Sequence, residues 1–161
     1  ILFNRFSLFV VFFWFGFLKV ISVSPAEGLV THLHNETLAR FIPSEQFVIL
    51  LGIFECLIGI LWLVPKLTKW AFYLFSIQMF TTFLPLLYLP SDTWQNSFVL
   101  TLTGQYIVKN LVLIGSALFI LLDYIAQQNK STLTQNNRSA DPDFSEPAMA
   151  YQMQALQHAE K

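Results

Sequence analysis

The stretch Gln46–Val64, QFVILLGIFECLIGILWLV, decides how the whole chain is read. Its length suits the ~20 residues that a helix needs to cross a ~30 Å hydrocarbon core, and Glu55 is the one charge inside it. A charge at mid-bilayer costs roughly 2.5–3.5 kcal/mol on insertion scales, so such a residue turns inward and pairs with another polar group. The neighbours of Glu55 fit that role. Gly52, Glu55, Cys56 and Gly59 fall at i, i+3, i+4 and i+7, which gives this helix a small, polar face suited to close approach of a second helix.

Working outward, three more apolar segments of similar length appear, roughly Phe6–Val23, Trp70–Leu89 and Val99–Tyr124. The expected fold is therefore all-α: a polytopic membrane four-helix bundle over residues 1–125, followed by a polar cytoplasmic tail over 126–161. With 55% hydrophobic residues, 12% charged and 17 Phe in 161, the chain carries more apolar surface than a soluble domain of this size buries. A net charge of −1 leaves no basic stripe for nucleic acid, and lipid is the expected surrounding. The first segment has Arg5 before it and Ser22 and Ser24 after it, features of a secretory signal. Its length, the interruption by Lys19 and the following Pro25 favour a retained helix.

Other polar groups interrupt the apolar runs. Lys19 lies in the first segment, Gln78 in the third, and Gln105, Lys109 and Asn110 in the fourth. At 1.5 Å of rise per residue, Glu55 and Lys109 lie about 15 Å below one surface and Lys19 within about 10 Å of it, with Gln78 slightly deeper. Gly16 precedes Lys19 by three positions and Gln105 precedes Lys109 by four, so each lysine is expected on an interior seam. Glu55 is expected to contact at least one of the two. Arg5, Lys66, Lys69, Lys130 and Arg138 fall on one side of the spans, whereas the opposite loops carry Glu27, Glu36, Glu45 and Asp92 against Arg40. The positive-inside rule then predicts both termini in the cytoplasm, with Trp70, Tyr88, Trp94 and Tyr124 near the span ends as an aromatic belt.

The same residues carry a family resemblance. Gly-Phe-Leu-Lys at 16–19, Gly-x-x-Glu-x-x-x-Gly at 52–59, Thr-Phe-Leu-Pro at 82–85 and Gly-Gln-Tyr-Ile-Val-Lys-Asn-Leu at 104–111 resemble the DoxX-like family of small bacterial membrane proteins, over roughly residues 5–125. The resemblance implies a four-helix bundle in the bacterial inner membrane. Its best-described members are membrane partners of oxidoreductases, including thiosulfate:quinone systems, and oxidative-stress proteins. Lys19, Glu55, Lys109 and Asn110 are the positions that it marks as characteristic.

Cofactor chemistry is restricted. His32, His34 and His158 lie outside the spans and Cys56 stands alone, which leaves neither a haem pair within the bilayer nor a disulfide or iron–sulfur set. No Gly-rich phosphate loop occurs. The expectation is a chain that binds no cofactor by itself. His32, His34 and Glu36 form the one cluster with metal-ligand chemistry, but their spacing matches no recognised site, so a solvated loop and no metal are expected.

After Tyr124 the composition turns polar. Gln127–Asp143 reads as a linker without a core, and Met149, Met153 and Leu156 recur at helical spacing, which predicts a short partner-docking helix near 148–158. Two functional readings follow. In the first, the chain is a non-catalytic membrane subunit of a larger complex, of the respiratory or quinone-linked oxidoreductase kind, with its outer faces and tail engaged. In the second, Lys19, Glu55, Gln78 and Lys109 line a site for a quinone headgroup, an anion or protons, with Gln105 and Asn110 as further donors. A cavity beside Lys109 favours the second, and a sealed contact between Glu55 and a lysine favours the first.

Overall fold

The computed structural model describes residues 1–24, 27–37 and 43–140, with side chains described throughout except at 36, 37 and 137–140. The chain is mostly helical: α1 (Leu2–Val20), α2 (Glu27–Thr37), α3 (Ser44–Leu63), a 3₁₀ turn at Pro65–Leu67, α4 (Thr68–Phe83), two single-turn helices α5 (Pro85–Tyr88) and α6 (Pro90–Thr93), strands β1 (Trp94–Asn96) and β2 (Val99–Leu100), and α7 (Leu102–Ala140). Four helical segments are long and apolar enough to cross a membrane: Leu2–Val20, Ser44–Leu63, Pro65–Tyr88 and Leu102–Asn136. The contacts divide the chain into two units, Ile1–Asp123 and Tyr124–Lys161.

In the first unit, α1, α3 and α4 each bury one stripe. On α1 the stripe is Arg5, Leu8, Phe12, Gly16 and Lys19, spaced three or four apart as a single helix face requires. On α3 it is Val48, Gly52, Glu55, Ile58, Gly59 and Trp62, and on α4 Thr68, Ala71, Phe75, Gln78 and Met79. Leu8, Phe12, Ile58, Trp62, Ala71, Phe75 and Met79 join Ala117 and Ile120 of α7 in one buried cluster. Phe75 sits at its centre, edge-on to Trp62 at 5.8 Å and tilted against Phe12 at 5.4 Å. The opposite faces expose Phe3, Trp14, Leu50, Trp70, Phe80 and Leu122, among others. That inversion of the usual rule suits helices whose outer surroundings are lipid or other helices.

The connections differ from expectation in three places. The third span does not run unbroken to Leu89: α4 stops at Phe83 and α5 restarts at Pro85, because proline has no N–H to continue the helical ladder. The fourth does not begin at Val99, which pairs with Asn96 in a bulged hairpin. Thr101 starts α7 by accepting the Gly104 N–H at 3.1 Å while its own hydroxyl donates to the Asp92 carbonyl at 2.6 Å, an N-cap arrangement. The loop after α1 contains α2, whose His32 Nδ1 lies 2.7 Å from Asp92 Oδ2. Its low apolar content hid the helix.

In the second unit the expected linker is helical as far as Ala140. Extending an existing helix avoids the nucleation cost, and Ser131, Thr132 and Thr134 turn their hydroxyls back onto the carbonyls of Gln127, Gln128 and Lys130. The docking helix expected near 148–158 lies outside the described residues.

Candidate functional site

The site grows from the packing of α1 against α3, which run antiparallel with backbones almost in contact. A Cβ at Gly16 would lie 2.6 Å from the Gly52 carbonyl oxygen, and one at Gly52 would lie 2.7 Å from that of Gly16. Cys56 Sγ approaches the Phe13 carbonyl at 3.6 Å, and further along a Cβ at Gly59 would lie 3.0 Å from the Phe13 nitrogen. Small residues at matching positions on both helices permit this approach.

One turn beyond Gly16 and Gly52, the close approach brings two charges together. Lys19 Nζ donates to Glu55 Oε2 at 2.5 Å, and Gln78 Nε2 donates to Glu55 Oε1 at 2.8 Å. Both carboxylate oxygens thus have a donor, and the three residues tie α1, α3 and α4 to one another. The Lys19 and Glu55 side chains are only 7% and 11% exposed, so Lys19 does not stretch toward water. In a medium without water to screen it, a charge-assisted bond of this kind is stronger than on a soluble surface.

A second anchor lies toward the other end of the same seam, about 21 Å along α1. Arg5 is buried; its Nη2 donates to Thr68 Oγ1 at 2.7 Å and its Nη1 to the Trp62 carbonyl at 3.2 Å. Thr68 in turn donates to the Pro65 carbonyl at 2.7 Å, and Asp123 of α7 lies within electrostatic reach of the guanidinium. Arg5 reads in sequence as a topogenic flank. Its membership of the i, i+3, i+4 stripe ending at Lys19 is the signal that places it inside. Arg5→Lys loses the two-pronged geometry and is expected to lower stability by about 1–3 kcal/mol, measured as the shift of the unfolding transition in detergent titrations.

The remaining expected site residues do not join the triad. Gln105 and Lys109 are exposed and Asn110 is half-buried, so the interior seam expected for them on α7 is corrected. The local phase of α7 explains this: Gly104 and Ile107 are the buried positions of its first two turns, and Lys109 lies two residues past Ile107, about 200° around the helix. Lys109 Nζ instead rests over the Tyr106 ring, 4.9 Å from its centroid. His32 is exposed, whereas His34 is buried, packed on Phe47 with ring centroids 4.9 Å apart and with neither ring nitrogen hydrogen-bonded. The Glu36 side chain lies outside the described residues. Among those that are described, no three His, Cys, Asp or Glu gather as a metal site would require.

In comparisons with known proteins, no family profile, curated protein or solved structure matches this chain.

Proposed function

We infer that the chain is a multi-pass membrane protein, a four-helix bundle with both termini cytoplasmic, that serves as a non-catalytic subunit of a larger complex. The observation that carries this reading is the mutual satisfaction of Lys19, Glu55 and Gln78. A site for a quinone or an anion needs donors turned toward open space. Here the lysine donates to the glutamate, and both side chains are almost wholly buried. Their evident work is to hold three helices in one register, the best-attested use of buried polar groups. Lys109, the other lysine that a ligand site would recruit, is exposed and rests over the Tyr106 ring.

The wide exposed apolar faces of α1, α3, α4 and α7 support an assembly in which other helices cover part of that surface. The DoxX-like motifs at 16–19, 52–59, 82–85 and 104–111 support the kind of assembly: a quinone-linked oxidoreductase of the bacterial inner membrane, with any quinone held by partner subunits. Native mass spectrometry of the chain, tagged at its N-terminus and released from its source membrane in mild detergent, tests this. The expected species contains the chain and at least one different polypeptide in fixed ratio. Release of the chain alone, or only with copies of itself and lipid, contradicts it.

A further inference from the structure

We propose that the exposed face of α7 around Lys109 docks a transmembrane helix of a different protein, and that this helix presents an aspartate or glutamate at the depth of Lys109. The proposal rests on the membrane-subunit reading above and adds the face and the chemistry of the partner.

Three observations meet on that face. First, α7 is the least covered span: 17% of its most apolar stretch is buried, against 28% for α1, 33% for α3 and 28% for the α4 span. Second, Lys109 stands seven residues into α7 from Leu102, about 10 Å along the axis, exposed and in contact with the Tyr106 ring. A ring face stabilises a cation only in part, and an ammonium at this depth favours a carboxylate. Third, at the far edge of that face, about 60° around the helix from Val112 and about 120° from Lys109, Gly115 would carry a Cβ that meets nothing within 4 Å. Its lack of a side chain therefore serves no packing within this chain, whereas small residues let a second helix backbone come close.

The chain's own charges decide against a second copy. The α7 stretch from Leu102 to Leu122 contains no carboxylate, and Glu55 is already held by Lys19 and Gln78. Two copies in the same orientation, related by an axis normal to the membrane, would set Lys109 against Lys109, which is repulsive. The carboxylate opposite Lys109 is therefore assigned to another polypeptide.

The test places a photoreactive amino acid at Val112 of the full chain in its source membrane, with Phe80 on the exposed face of α4 as the control position. Expected is a crosslink from position 112 to one heterologous membrane protein, at a helix bearing an acidic residue. Lys109→Glu should reduce the yield roughly tenfold, the size of one interhelical polar contact, while Lys109→Arg retains it. Exchanging the partner's acidic residue for lysine should restore the yield with Lys109→Glu. Crosslinks to lipid alone or to this chain itself, equal yields at 112 and 80, or indifference to Lys109→Glu would each overturn the proposal. If native mass spectrometry still shows a hetero-complex in those cases, the docking face is wrong and the subunit reading stands. If it shows none, both fall.

Discussion

Replacing Glu55 with leucine is expected to destabilise the folded chain by about 3–5 kcal/mol, the cost of leaving one member of a buried ion pair without its partner. Lys19 would remain in a pocket of 5% exposure with its ammonium facing apolar atoms, and Gln78 would lose the acceptor of its Nε2 bond. The Lys19 stem is pinned by the Gly16–Gly52 contact one turn away, since a Cβ at Gly52 would lie 2.9 Å from Lys19 Cβ. The charge therefore has little freedom to reach the interface. Denaturant titration in detergent, followed by far-ultraviolet circular dichroism, reads the loss. A Glu55→Leu chain as stable as the parent would mean that the Lys19–Glu55 bond contributes nothing to the fold.

The second large effect is expected at Gly16. Substitution by valine would place carbon where the Gly52 carbonyl, the Cys56 amide and the Cys56 sulfur already stand, at 2.6, 2.8 and 2.9 Å from the new Cβ. Two of these are backbone atoms of α3 that cannot rotate aside, so α1 must move away as a body and stretch the Lys19–Glu55 bond with it. Overpacking of this kind costs about 3 kcal/mol. Gly115→Ala is the matched control: nothing lies within 4 Å of its built Cβ, and the isolated chain should be unchanged or gain up to about 1 kcal/mol of helix propensity. Equal tolerance of Gly16→Val and Gly115→Ala in thermal unfolding would show that α1 and α3 do not approach as described.

Much of this was legible in the sequence because single charges in apolar runs are rare and glycine spacing is periodic. The Gly52–Glu55–Cys56–Gly59 face predicts a close helix approach, and Gly16 placed three residues before Lys19 supplies the matching surface. What the sequence hid was azimuth. Depth follows from counting residues at 1.5 Å each, so Lys109 and Glu55 fall in one layer on paper. Which way Lys109 points depends on the phase of α7, and a helix apolar on all sides carries no stripe to reveal it. Arg5 is hidden for the opposite reason: a basic residue at the end of an apolar helix has a sufficient explanation in membrane orientation, which masks its place in the buried stripe. The helix Glu27–Thr37 and the hairpin at Trp94–Leu100 depend on contacts such as His32 with Asp92 and Thr101 with the Asp92 carbonyl, which join residues that no local pattern pairs.

The most direct test of the central claim, that the buried triad serves structure, replaces all three members at once with apolar side chains of similar size: Lys19→Met, Glu55→Met and Gln78→Leu. Removing an entire buried polar set in favour of well-packed apolar residues is often neutral or stabilising, unlike removal of one partner. The measurement is native mass spectrometry of this triple variant released from its source membrane, alongside its unfolding transition in detergent. The account predicts a chain at least as stable as the parent and recovered in the same hetero-complex at the same ratio. A triple variant that folds with parental stability yet is lost from the complex would contradict it, because the triad would then act on something beyond the fold.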